Sequence, residues 1–188
     1  MGCTFERHSV SKILKKVEPQ LVILSGDITQ RARGYQFHEA KLFTDQLEPA
    51  KVIAVPGNHD IPLINLFARI FFPYKGYKSI FKQKLEQSII LNDVAIVCLN
   101  STSRWRHVQG GFQESYLDEQ FRKNNLGCNI RIAAFHHPMD CAKHVDDQNL
   151  LKGRDDAMNI FDQHQIDLII SGHIHDPYIS LSKDRYPQ

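Results

Sequence analysis

Four short polar segments hold the residues of this chain best suited to chemistry: Gly26-Asp27, Gly57-Asn58-His59-Asp60, His136-His137-Pro138 and Gly172-His173-Ile174-His175. Carboxylate, amide oxygen and imidazole are donors that suit Mn, Fe, Zn or Ni, and no cysteine stands near them to suggest a structural zinc site. An aspartate has two oxygens and can bridge two ions. Neutral Asn and His ligands limit the accumulated negative charge, so bound cations keep positive charge with which to attract a phosphate. Asn58 offers a metal-binding oxygen, His59 a proton donor beside it, and Asp60 a carboxylate able to orient the loop or the histidine. His173 and His175, two apart in an extended segment, would point the same way, as a two-ion site would use.

Each segment alone also has a purely structural explanation. Gly26-Asp27 reads as a β-turn. Asn58-His59-Asp60 reads as the cap of a helix beginning near Leu63, with Asp60 placed before Pro62. His136-His137 reads as a strand terminus with one ring hydrogen-bonded in the core, and Gly172 to His175 as a short edge strand. The conjunction decides between these readings, because all four segments come after apolar runs: Leu21 to Leu24, Val52 to Val55, Ile130 to Phe135 and Leu168 to Ile170. Open α/β sheets bind ligands at that edge, beyond the carboxyl ends of their strands.

The elements that must position these residues alternate along the chain. A helical pattern from His8 to Val17 stops near Pro19, and a second helix, from Tyr35 to Leu47, separates the first two strands. Strands Ile89 to Leu91 and Val94 to Leu99 flank a turn at Asn92-Asp93. Helices from Glu114 to Lys123 and from Asp155 to His164 precede the last two strands. The order predicts an α/β domain with a buried, partly parallel sheet and helices on both faces. At 188 residues with 42% hydrophobic content, one domain spanning 1–188 with one sizeable core is expected. A net charge of +2 with scattered basic residues does not favour a nucleic-acid partner. Cys3, Cys98, Cys128 and Cys141 are widely spaced, as suits thiols in a reducing compartment. With no apolar run of membrane-spanning length and no apolar signal core, the expectation is a cytoplasmic protein with no membrane partner.

Gly26-Asp27, Gly57-Asn58-His59-Asp60, His136 and Gly172-His173-Ile174-His175 match, in order and spacing, four of the five signatures of the calcineurin-like metallophosphoesterase superfamily, which the chain resembles over nearly its whole length. Ser25-Gly26-Asp27-Ile28-Thr29-Gln30 is most similar to the bacterial branch that includes class III cyclic-nucleotide phosphodiesterases. The resemblance implies a β-sheet sandwich flanked by helices and two divalent or trivalent metal ions, Mn, Fe, Zn or Ni. It implies that Asp27 bridges the ions, that Asn58, His136 and His173 complete the shell of one, and that His175 binds the other. His59 would sit near the phosphate and help the leaving oxygen depart, with Asp60 beside it. His137 is the neighbouring alternative to His136, which the family pattern favours.

One signature is missing. The family's opening D-x-H has no counterpart before Asp27, and the chain stops soon after His175, so the domain reads as truncated at both ends, lacking its first strand and its C-terminal strands. Asp162-Gln163-His164 has the right letters but precedes a strand, at the opposite sheet edge. Ligand counting leaves the second ion with Asp27 and His175 alone, and so weakly held; an unpaired sheet edge would also lower stability. The function implied is hydrolysis of a small phosphodiester, a cyclic nucleotide among the candidates, by a hydroxide bridging two metal ions. A nuclease or phosphomonoesterase of the same superfamily, or an inactive metal-binding domain, are the alternatives; oligomeric state is not indicated. Two further segments admit a substrate-side or a structural reading: Phe67 to Phe81, as a cap over the metal edge or as core packing, and Arg104 to His107, as a substrate loop or a solvated turn.

Overall fold

In strand β2, Lys51–Val55, successive side chains face opposite layers: Ile53 and Val55 meet one set of neighbours and Ala54 another. That period of two organises the computed structural model, which describes residues 10, 12–14, 16–123, 127–141, 147–175 and 179–180. β2 pairs in parallel with β1, Leu21–Ser25, and helix α1, Gly34–Asp45, crosses between them. Helices α2, Leu66–Phe71, and α3, Lys75–Phe81, lead into a second sheet. Its strands β3, Gln87–Leu91, and β4, Val94–Cys98, form an antiparallel hairpin. Asn92 makes the turn with a φ of 54°, a conformation that asparagine tolerates. After α4, Glu114–Lys123, strand β5, Ile130–Ala134, joins β4 in parallel, and after α5, Arg154–Gln163, strand β6, Leu168–Ile170, joins β5.

Three apolar clusters fill the spaces between layers. Phe37, Ala40, Ala54, Tyr77 and Phe81 pack α1 and α3 against the outer face of β2. Ile53, Val55, Ile96, Cys98 and Ala134 lie between the two sheets, and burial pushes the Cys98 thiol up to about 12. Val97, Ala133, Phe135, Leu117, Phe121 and Phe161 pack α4 and α5 against the far face of the second sheet. The expected sandwich of sheets flanked by helices is what forms. The expectation of helices on both faces of one sheet is corrected: each sheet has helices on its outer face and the other sheet on its inner face. A strand that is apolar on both sides looks the same in sequence whichever layer covers it.

The predicted elements stand with small changes at their ends. In the first predicted helix, Val10, Lys12 to Leu14, Lys16 and Val17 are helical, while His8 lies outside the described residues. Among the described residues, no helix is long and apolar enough to cross a membrane. The edge of β2 away from β1 is closed by a side chain: Gln83 Oε1 accepts from the Ala54 N–H at 3.1 Å, and Gln83 Nε2 donates to the Val52 carbonyl at 2.8 Å. A primary amide thus takes the place of a neighbouring strand, and covering an edge in this way removes a pairing template. Gln83→Ala strips both backbone groups of their partner and is expected to cost about 1–3 kcal/mol, read as a lowered urea midpoint with unchanged slope. An unmoved midpoint would mean that the edge needs no cover.

Candidate metal centre

Strands β1, β2, β5 and β6 end at one edge of the sandwich, and the candidate residues follow within a few positions of those ends. After β1, Gly26 and Asp27 both have positive φ, at 95° and 48°. Gly26 also yields space: a Cβ there would fall 2.2 Å from His136 Nδ1. Asp60, 1% exposed, holds this turn from the other strand of the sheet. Its Oδ2 accepts from the Gly57 N–H at 2.9 Å and the Ile28 N–H at 3.1 Å; its Oδ1 accepts from the Thr29 N–H at 2.7 Å and the Thr29 hydroxyl at 2.9 Å. Burial pushes the Asp60 carboxyl up to about 6, against the pull of those donors toward the ionised form.

This geometry corrects the reading of Asp60 as a helix cap. Asn58–Asp60 is a single 3₁₀ turn, and α2 begins later, capped by Asn65, whose Oδ1 accepts from the Ala68 N–H at 2.9 Å. Donors gathered from two turns outcompete the single bond a helix end would offer. Asp60 also does not orient the His59 ring. His59 Nδ1 donates to the Gln30 carbonyl at 2.8 Å, so of the two alternatives it is the loop that Asp60 fixes.

His136 lies at the centre of the converging groups and is 1% exposed. Its Nδ1 donates to the Ser25 carbonyl at 2.8 Å, which aims Nε2 at the neighbouring groups. That nitrogen stands 3.1 Å from Asn58 Oδ1, 3.2 Å from His173 Nδ1 and 3.3 Å from Asp27 Oδ1. Burial works to raise the Asp27 carboxyl, but the hydrogen bond and charge of His136, with the His59 N–H at 3.0 Å, outweigh it and hold the group below its ordinary range. Burial, reinforced by the charge of His136, pushes His173 down to about 4. Burial, with the charges of His136 and His173, pushes His137 down to about 3. Both rings are therefore neutral near pH 7. Among the described residues, His173 Nε2 and His137 Nε2 are buried with no hydrogen-bond partner. Carboxylate, amide and imidazole acceptors crowded together with too few protons to join them suit a cation, so this set of residues fits the metal ion that the sequence implied.

The structure thus gathers Asp27, Asn58, His136 and His173, with His137 beside them. His175 is exposed. The expected extended geometry of the last pair is absent, because His173 and His175 have φ of 73° and 49° and the Ile174 N–H turns back to the Gly172 carbonyl. Backbone strain of this kind gathers at functional sites, and three of the candidate residues carry it. His164, the D-x-H look-alike, bonds Asp118 at 2.8 Å near the start of β5, at the opposite edge as expected.

Sequence reasoning left two neighbours undecided. Arg69 is buried and its guanidinium donates to the carbonyls of Pro62, Ser103, Arg104 and Arg106 at 2.7–3.3 Å. The clamp brings His107 to the site side, with its ring centroid 5.9 Å from that of His59 in an edge-to-face pair. Arg104 to His107 is therefore a held loop beside His59, although Trp105 is exposed. Phe67 to Phe81 divides: Tyr77 and Phe81 are core, while Phe67, Phe71 and Phe72 are exposed. The signal that would have identified the clamp is an arginine on a helix otherwise apolar, Leu66–Phe71.

A family model described as calcineurin-like phosphoesterase matches residues 3–177. The chain is 28% identical over 167 residues to a "probable glycerophosphodiester phosphodiesterase GpdQ" of Arcobacter nitrofigilis, an alignment covering 85% of this chain and 58% of that protein. It is 26% identical over 179 residues to a "probable cyclic nucleotide phosphodiesterase" of Xenorhabdus bovienii, covering 93% of this chain and 68% of that one. The chain thus spans little more than half of the first relative's length. The fold is similar to that of a purple acid phosphatase from yellow lupin (Lupinus luteus) seeds, with a TM-score of 0.64 and 15% identity over 90% of this chain and 33% of that one.

Asp60→Asn puts an amide N–H₂ against backbone donors, and a loss of about 1–3 kcal/mol is expected, measured by urea unfolding of the metal-free chain. Equal midpoints for the two proteins would show that the turn at Asp27 holds without its carboxylate.

Proposed function

The chain belongs to the calcineurin-like phosphoesterase family, and on that premise we propose that it is a metal-dependent hydrolase of small phosphodiesters. The observation that carries this reading is the convergence of Asn58 Oδ1, His173 Nδ1 and Asp27 Oδ1 on His136 Nε2 at 3.1–3.3 Å. Asp27, Asn58, His136 and His173 would hold one ion, and Asp27 with His175 a second, weaker one. Ions bound there polarise phosphoryl oxygens and make water nucleophilic near neutral pH. The naming of both sequence relatives as phosphodiesterases supports a diester, and the Xenorhabdus protein supports a cyclic nucleotide among the diesters to be tried.

The residues of the chain have separable tasks. His59 is fixed through Nδ1 by the Gln30 carbonyl, which leaves Nε2 to carry a proton to the departing alkoxide as the P–O bond breaks. Its backbone N–H, donated to Asp27 Oδ1, keeps the ring next to the metal ligands. Neutral His137 and His173 add no positive charge of their own, so the pull on a phosphate comes from the bound ions. The small net charge of +2 does not favour a nucleic-acid partner, and a small phosphoester is the partner proposed.

The test is hydrolysis by the full chain after reconstitution with Mn, comparing bis(p-nitrophenyl) phosphate, 3′,5′-cyclic AMP, p-nitrophenyl phosphate and single-stranded DNA. Metal-dependent turnover of the diesters above the monoester and DNA is expected; no turnover of any of them by metal-loaded chain rejects the reading. His59→Ala is expected to lower kcat about 100- to 10,000-fold while bound Mn, measured after gel filtration, is unchanged. Equal kcat values would remove His59 from proton transfer. Asp27→Ala should lose both the metal and the activity.

A further inference from the structure

His137 is built into the fold in the same way as His136. In each ring Nδ1 meets an oxygen at 2.8 Å, the Ser25 carbonyl for His136 and the Ser101 hydroxyl for His137. Each ring lies under a glycine that leaves no room for a side chain: a Cβ on Gly26 would fall 2.2 Å from His136 Nδ1, and one on Gly110 would fall 2.1 Å from His137 Nδ1. Both rings are 1% exposed. Among the described residues, His137 Nε2 is buried with no hydrogen-bond partner. A histidine placed only for packing would have both nitrogens satisfied, because buried polar atoms are rarely left without partners.

The surroundings of that nitrogen point to what belongs there. The centroids of His136, His137 and His173 are 4.9, 4.8 and 5.0 Å apart, a nearly equilateral triangle, and one ligand nitrogen from each lies within 4.8 Å of the others. Imidazoles bound to a single ion at about 2 Å have centroids about 5 Å apart. A partner on Nδ1 of a metal-binding histidine orients the ring and aims Nε2 at the ion, and the Ser101 hydroxyl supplies that support.

We propose that His137 is itself a metal ligand in this chain, completing with His136 and His173 a three-imidazole site for a divalent ion such as Zn²⁺. The inference rests on the metal-dependent reading above and extends it, since that reading gives His137 no bond to the ion. It makes this centre richer in nitrogen than one built from Asp27, Asn58, His136 and His173 alone, and it makes Ser101 and Gly110 positioning residues for the ion.

The experiment uses the full chain, metal-stripped, with histidines labelled with ¹⁵N in the ring, and tracks the imidazole nitrogens by NMR on addition of one equivalent of Zn²⁺. The signals of His137 are identified by their absence from His137→Gln. The expected result is that Nε2 of His137 moves together with the ring nitrogens of His136 and His173. If His136 and His173 move and His137 does not, the proposal is overturned and the metal reading stands. If no ring responds, both fall. In parallel, competition against a chromophoric chelator is expected to show Zn²⁺ binding weakened at least 10-fold in His137→Gln and about 10- to 100-fold in Ser101→Ala, with His164→Gln, at the far edge, equal to the parent chain. Equal affinities in all three variants overturn the proposal, and Ser101→Ala, which keeps both histidines, decides it if His137→Gln fails to fold.

Discussion

A single buried carboxylate ties together the turns on which the metal centre depends. Asp60 lies in the turn after β2, yet most of its bonds are made to Ile28 and Thr29, in the turn after β1. Without it the two turns would be left with the bonds that His59 makes to Asp27, Thr29 and Gln30. With it, Asp27 and Asn58 are held as one unit on the first sheet, to which the second sheet presents His136 and His173. The cost is a charge removed from water, and gathering donors around both oxygens is what makes that tolerable. Thr29 closes the arrangement, since its hydroxyl both donates to Asp60 and accepts from the Ala32 N–H at 3.0 Å.

Close approach is the second requirement. His136 reaches from the second sheet to the Ser25 carbonyl of the first, crossing the layer boundary above the cluster formed by Ile53, Val55, Ile96, Cys98 and Ala134. The inter-sheet packing therefore sets the distance between imidazole and carboxylate. Small residues on those strands, Ala134 among them, allow the sheets to close, and Gly26 and Gly57 allow the turns above them to do so. The polar centre is as tightly specified as it is because the apolar layer beneath it is continuous.

Much of this was legible in the residues. Strand ends announced themselves by apolar runs giving way to Gly with Asp, Asn or His, and β6 and α4 fall at the predicted bounds. The layer order was not legible from periodicity, because Ala54 facing helices and Ile53 facing a sheet are both simply apolar. That Asp60 orients the loop was among the readings open to it, but its partners escaped because they lie about thirty residues upstream in sequence. The left-handed backbone at His173 and His175 escaped for a related reason: histidine gives no sign of positive φ, whereas Asn92 in its hairpin does.

The Arg69 clamp has a consequence for how such a chain can change over generations. The four carbonyls it meets all belong to the main chain, so Ser103, Arg104 and Arg106 are held by their backbone whatever side chains they bear. The loop beside His59 can accumulate substitutions, and with them new preferences for the ester it faces, without loosening its attachment. The freedom depends on one position: lysine keeps the charge but lacks the planar fork that spans several carbonyls. Diversity in the loop and constancy at the arginine are two sides of one arrangement.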